Sequence, residues 1–254
     1  MIFRRLIVSA LLVGLLSGLI LSLVQIMAVN PIIFAAETFE VSEPETSVHD
    51  HHDHSNGHSH THSEDAWSPI DGVERTLYTV LSNVLAGFGF SAVLLALMSQ
   101  LQGQGLTRVN VLKGCIWGVA GFLAFFVAPG VGLPPEIPGV EAAVIGSRQL
   151  WWAAAVSGAG AGLLLLFFAP TKFKALGVLA ILVPYLMPIP HHDGAVFAHP
   201  DTYAVERLTE LHQQFILASG ITNLIFWLAL GAISAWALNR FIYRASRRHE
   251  ENYA

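Results

Sequence analysis

Charge is what this chain has least of. Only 12% of its 254 residues are Asp, Glu, Lys or Arg, while 54% are hydrophobic. Soluble globular domains carry about 25% charged residues. Mean hydropathy is +0.56 and the apolar residues fall in long blocks, which excludes an ordinary soluble fold. The chain reads as one all-α, polytopic membrane domain over residues 1–254. Cysteine is nearly absent. The single Cys115 cannot form an internal disulfide, and it lies in an apolar block as a small buried hydrophobe. A net charge of −5 without a basic motif excludes a nucleic-acid partner. No GxxxxGK phosphate loop is present, so the chain has no nucleotide site of its own. HExxH, GxSxG and CxxC are also missing, which leaves an enzyme reading without a nucleophile and its partner. No acidic or basic residue sits in the middle of an apolar block, which argues against a stand-alone proton-driven pump. Gln25, Asn83 and Asn223 are the main polar residues there, and buried amides usually bridge helices.

A helical span needs about 20 apolar residues. Residues 6–29, 79–98, 111–128, 150–169 and 215–238 qualify, and residues 175–187 form a shorter segment ending in prolines. The first block is too long for a secretory h-region and reads as a retained helix. Charge decides the short segment. With six spans and a cytoplasmic N-terminus, the cytoplasm receives Arg4, Arg5, Arg108, Lys113, Lys172, Lys174, Arg240, Arg244, Arg247 and Arg248. The outside receives only Arg75, Arg148 and Arg207. Cytoplasmic excess of Lys and Arg is the orientation rule, so six helices with both termini inside are expected, five being the alternative. Gly14 and Gly18, and the ridge Gly158, Gly160 and Gly162, are expected to pack helices closely.

What the chain has in abundance is histidine in its outer loops. Residues 30–73 form a polar, acidic loop that is expected to be disordered without metal. It carries His49, His51, His52, His54, His58, His60 and His62, interleaved with Asp50 and Asp53. Imidazole is the commonest protein ligand for transition metals, and carboxylates complete such sites. Flexible ligands one or two residues apart suit capture and exchange, and protonation should release the metal in acid. The second outer loop, residues 129–146, is rich in Pro and Gly and reads as stiff and irregular from Ala128 onward. In it Glu136 offers either a metal carboxylate or a partner for Arg148, which precedes the paired interfacial Trp151 and Trp152. The third, residues 188–210, brings His191, His192, Asp193 and His199 after Pro184, Pro188 and Pro190. These residues, with His212 beyond them, are candidates for a defined site at the outer mouth of the bundle.

The Arg4-Arg5-Leu6 start, the histidine tract, the run APGVGLPPEIPG over residues 128–139 and RQLWW over 148–152 resemble the probable cobalt transporter subunit family called CbtA. The segment from Pro188-Ile189-Pro190-His191 to the last helix is similar too, so the resemblance covers nearly the whole chain. It implies cobalt uptake linked to cobalamin synthesis, across the bacterial inner membrane, with a small single-span partner, CbtB, that has its own histidine motif. The family is described with five spans, whereas the charge bias here favours six. It implies no catalytic residue and no resident cofactor. The metal is cargo, and nickel or zinc would use similar ligands. The competing expectation is a membrane sensor or scaffold that binds metal and delivers it to a partner without transporting it.

Overall fold

The computed structural model describes residues 2–39, 69–70 and 72–243. The tract from His49 to His62 lies outside the described residues, as do Arg244, Arg247, Arg248 and His249. The elements are α1 (Ile2–Ala28), α2 (Asn30–Glu37), α3 (Val73–Gly103), α4 (Val111–Phe122), α5 (Ala128–Gly132), α6 (Ile145–Phe168), α7 (Lys174–Leu182) and α8 (Thr202–Ala237). Among the described residues there is no strand, only an isolated antiparallel bridge between Val140 and Phe197. Five helices are long and apolar enough to cross a membrane: Phe3–Ala28, Val73–Gly103, Val111–Gly132, Ile145–Phe168 and Thr202–Ile242. The protein is a polytopic helical membrane protein.

Several elements run past their apolar blocks. Residues 30–37 of the expected polar loop are helical as α2, with Pro31 in the first turn, where its missing N–H costs nothing. The segment expected to be irregular from Ala128 stays helical to Gly132. A π-turn over Leu123–Val127 precedes it. Pro129 has no N–H for the Phe125 carbonyl, and a wider turn accommodates that loss. Helix α8 starts at Thr202 rather than at 215, because Asp201 caps it by accepting from the Tyr203 N–H at 2.9 Å. At 36 residues it is about 54 Å long, well beyond the ~30 Å hydrocarbon layer. Its charged first turns, with Glu206, Arg207 and Glu210, therefore lie outside that layer.

The short segment is not a single span. It is a 3-10 turn at Thr171–Phe173, the nine-residue α7, and a 3-10 turn at Val183–Leu186 that contains Pro184. Together these reach at most about 27 Å. Even so, they carry the chain from one end of the bundle to the other. Trp117 of α4 stacks on Phe168 at the close of α6, near the start of the segment. At its far end Tyr185 packs edge-on against Trp151, and its hydroxyl donates to the Ala128 carbonyl at 2.7 Å. The chain thus passes from end to end six times, five of them in long helices and once in a broken one.

Glycines set the helix spacing. A Cβ on Gly18 would lie 2.6 Å from Val84 Cα, and one on Gly87 would lie 2.7 Å from the Gly14 carbonyl oxygen, so α1 and α3 meet backbone to backbone. Gly114 and Gly118 face Gly231 and Trp227 in the same way, joining α4 to α8. Gly158 and Gly162 meet the carbonyls of Ala180 and Gly177 on α7. Small residues at such intervals gain dispersion contact where lipid supplies no hydrophobic drive. Leu95, Met98, Leu230 and Leu238 fill the core between α1, α3 and α8. Phe90, Phe125 and Trp227 cluster beside it, with ring centroids 4.9–5.3 Å apart.

The two ends differ in charge. Arg4, Arg5, Arg108, Lys113, Lys172, Lys174 and Arg240 lie at one end, where Asn239, in the π-turn that follows α8, donates to the Val109 carbonyl at 2.9 Å and ties that turn to the α3–α4 connection. No described acidic residue lies there. All eight described acids, Glu37, Glu74, Glu136, Glu141, Asp193, Asp201, Glu206 and Glu210, lie at the other end.

Gly118→Leu is expected to lower the stability of the purified protein by about 1–3 kcal/mol, the usual cost of overpacking. Gly160→Ala should leave it unchanged, because nothing lies within 4 Å of its Cβ position. Thermal unfolding in one detergent distinguishes them, and equal midpoints would refute the glycine contact between α4 and α8.

Candidate functional site

The acidic end is roofed by a second apolar cluster. Ala36 of α2, Ile137 of the α5–α6 connection, Phe197 of the α7–α8 connection, and Leu208 and Leu211 of α8 are all buried together. Three connections distant in sequence thereby share one small core. The Val140–Phe197 bridge and the Glu141 N–H donating to the Val196 carbonyl at 3.0 Å stitch two of them. His212 Nε2 lies 3.0 Å from the Pro135 carbonyl oxygen, and its ring meets Phe197 edge-on at 6.0 Å. His212 therefore acts as a clamp in this roof.

Ion pairs pin the same layer. Arg148 pairs with Glu136 across the α5–α6 connection, both side chains about three-quarters buried. Arg75 forks onto Glu37 with both Nη atoms, one of them 3.1 Å from Oε2, and its guanidinium lies over Phe34. Arg207 pairs with Glu210 along α8. Every arginine at the acidic end is thus matched to a carboxylate, leaving that end with excess negative charge.

The candidate ligands are placed as follows. His191 Nε2 is 3.3 Å from Asp193 Oδ1, and these side chains are 77% and 96% exposed. His191 Nδ1 lies 3.1 Å from the Ile189 carbonyl oxygen, which aims Nε2 outward. The exposed His192 ring lies over Gly194, its Nε2 3.0 Å from where a Cβ would stand. His199 Nδ1 accepts from the Asp201 N–H at 3.0 Å, just before α8. Glu136 is engaged by Arg148 rather than by a histidine. Among the described residues, no three His, Cys, Asp or Glu side chains converge on one metal position. The surface offers donors singly or in pairs, His191 with Asp193 foremost. Two donors suit transient capture, whereas a structural metal needs four.

The amides behave as bridging groups in part. Asn83 Nδ2 donates to Ser22 Oγ at 3.1 Å and to Gln25 Oε1 at 2.6 Å, linking α3 to α1. Asn223 bonds the Ser219 carbonyl of its own helix instead. The Glu37–Arg75 fork was not legible in the sequence, since the histidine tract separates its partners. The Gly114–Gly118 contact was not anticipated, although its GxxxG spacing is the signal that could have shown it.

The model of a family described as probable cobalt transporter subunit, CbtA, matches residues 3–239. The chain belongs to the CbtA family. No curated protein and no solved structure matches it. A transporter-subunit family accounts for the polytopic bundle and makes cobalt the expected cargo. The word subunit implies a partner. The family match covers every helix of the bundle and also the roof at its acidic end.

Arg148→Ala should loosen the roof without unfolding the bundle. A partly buried ion pair contributes roughly 1 kcal/mol, so amide exchange over residues 133–141 should rise about fivefold. Exchange in the middle of α8 should not change. An unaltered 133–141 segment would show that the pair does not hold the loop.

Proposed function

We propose that this CbtA-family protein is the membrane subunit of a cobalt importer that supplies cobalamin synthesis. It would lie in the bacterial inner membrane with both termini in the cytoplasm. The observation that carries the reading is the segregation of charge between the ends of the bundle. One end holds seven described cations and no described acid. The other holds all eight described acids and all four described histidines. The excess-cation rule puts the basic end in the cytoplasm, so carboxylates and imidazoles face the side from which metal arrives. A surface with excess negative charge concentrates cations, which favours capture.

On this reading, His49, His51, His52, His54, His58, His60 and His62 collect the ion from dilute solution. His191, His192, Asp193 and His199 then receive it at the mouth, with Glu136 available only if Arg148 lets go. A small CbtB-like subunit with one span is the proposed partner. Nickel and zinc are the competing cargoes, since imidazole binds them as well.

Deleting residues 49–62 should weaken cobalt uptake at low metal while leaving maximal flux largely intact. Replacing His191 and His192 with alanine should abolish flux. Both are measured with a metal-sensitive dye inside liposomes, with and without the partner. Normal import by both variants would sink the mechanism. Protease or tag accessibility of residues 49–62 from the cell interior would sink the orientation.

A further inference from the structure

The face of α6 that carries Gly160 looks away from α7 and into a groove of about 390 Å³ between α3, α4 and α6. Its walls are Val93, Leu97, Ile116, Leu164, Phe167 and neighbouring aromatics, and it is almost wholly apolar. Among the described residues Lys113 is the only charged one lining it, with Thr107 close by in the α3–α4 connection. The groove follows α4 and the π-turn beyond it from Lys113 to Phe125, which is about 18 Å of helix. That is a little over half the ~30 Å hydrocarbon thickness, close to the depth of one leaflet. It occupies the half of the bundle nearest the basic end, where Arg108, Lys172 and Lys174 are also exposed and no described acid competes.

We propose that this groove is a binding site for one anionic phospholipid of the leaflet at the basic end. An acyl chain lies along the aromatic wall, and the headgroup phosphate meets Lys113 at the rim. Two features select this occupant. The depth is close to one leaflet. The only charge at the rim is positive, at an end with no described carboxylate, and basic pockets between spans take up anionic headgroups. Gly160 then has a purpose apart from its neighbours Gly158 and Gly162. Those two seat α7, whereas Gly160 keeps the groove open.

The test uses the full purified chain in mild detergent, with native mass spectrometry reading retained lipid. It is supplied with phosphatidylglycerol or phosphatidylcholine of identical acyl chains. The unaltered protein should retain phosphatidylglycerol about fivefold better, the factor expected for one lysine at a membrane surface. Lys113→Gln, an exposed position, should bring the two lipids to near equality. Gly160→Leu should reduce retention of both at least severalfold, with the leucine filling space where nothing now lies within 4 Å. Equal retention of the two lipids by the unaltered protein would overturn the proposal. So would unchanged retention in Gly160→Leu, or a dimer that Gly160→Leu dissolves while no lipid is retained.

Discussion

The bundle depends on backbone meeting backbone at glycine. Lipid tails are as apolar as leucine, so burial of leucine gives helices little reason to associate within the membrane. Close approach is what remains, and three helix pairs achieve it with the same device. Gly14, Gly18 and Gly87 join α1 to α3, and Gly114, Gly118 and Gly231 join α4 to α8. Gly158, Gly162 and Gly177 join α6 to α7. Each pair brings carbonyl oxygens against Cα positions, where weak Cα–H···O contacts add to dispersion. The third pair also explains how a proline-broken passage is tolerated. Pro184 brings no N–H to the Ala180 carbonyl, and Gly158 lets α6 close over that oxygen.

The ends of the bundle follow a second constraint, separation of charge by side. Helix spacing fixes where each connection emerges, and the connections at the acidic end then build a structure of their own. Their small core around Ile137, Phe197 and Leu208 forms in water, so ordinary apolar burial can stabilise it. The Arg75 and Arg148 pairs sit at its margin and hold the approaches to it. This roof is therefore made by different physics from the spans beneath, and the histidine-bearing segment around His191 projects from it, exposed.

The helical membrane class was plain from hydropathy, and Gly14–Gly18 and Gly158–Gly162 pack helices as their spacing suggested, whereas Gly160, expected to pack in the same ridge, has nothing within 4 Å of its Cβ position. What hydropathy could not give was the ends of the helices. Apolar residues mark only the stretch in hydrocarbon, so α8 was read from 215 although a cap at Asp201 starts it at 202. The same limit hid α2 inside a loop that reads as polar on average. The broken passage through α7 was legible only through charge, because its length falls short and nothing local says whether the chain returns. The outer loops were legible as composition alone. Histidines beside carboxylates raise the expectation of metal binding, but that Glu136 pairs with Arg148 depends on loop geometry that spacing does not encode.

Between its two charged ends the bundle offers a cation little. The described residues of the mid-spans contain no carboxylate, imidazole or amine; their side-chain donors are hydroxyls such as Ser17, Ser91 and Thr222, the amides of Gln25, Asn83 and Asn223, and the sulfurs of Met98 and Cys115. Part of that oxygen is already engaged, although the buried hydroxyls of Thr222 and Ser234 have no hydrogen-bond partner among the described residues. Ser91 bonds the Ala10 carbonyl, and Asn83 bonds Ser22 and Gln25, so these groups hold helices together before they could serve an ion. A divalent cation leaving water must replace strong hydration with comparable ligands, and neutral oxygens committed elsewhere do so poorly. Among the described residues the spans thus offer a cation no set of charged ligands, which accords with a family whose description names a subunit.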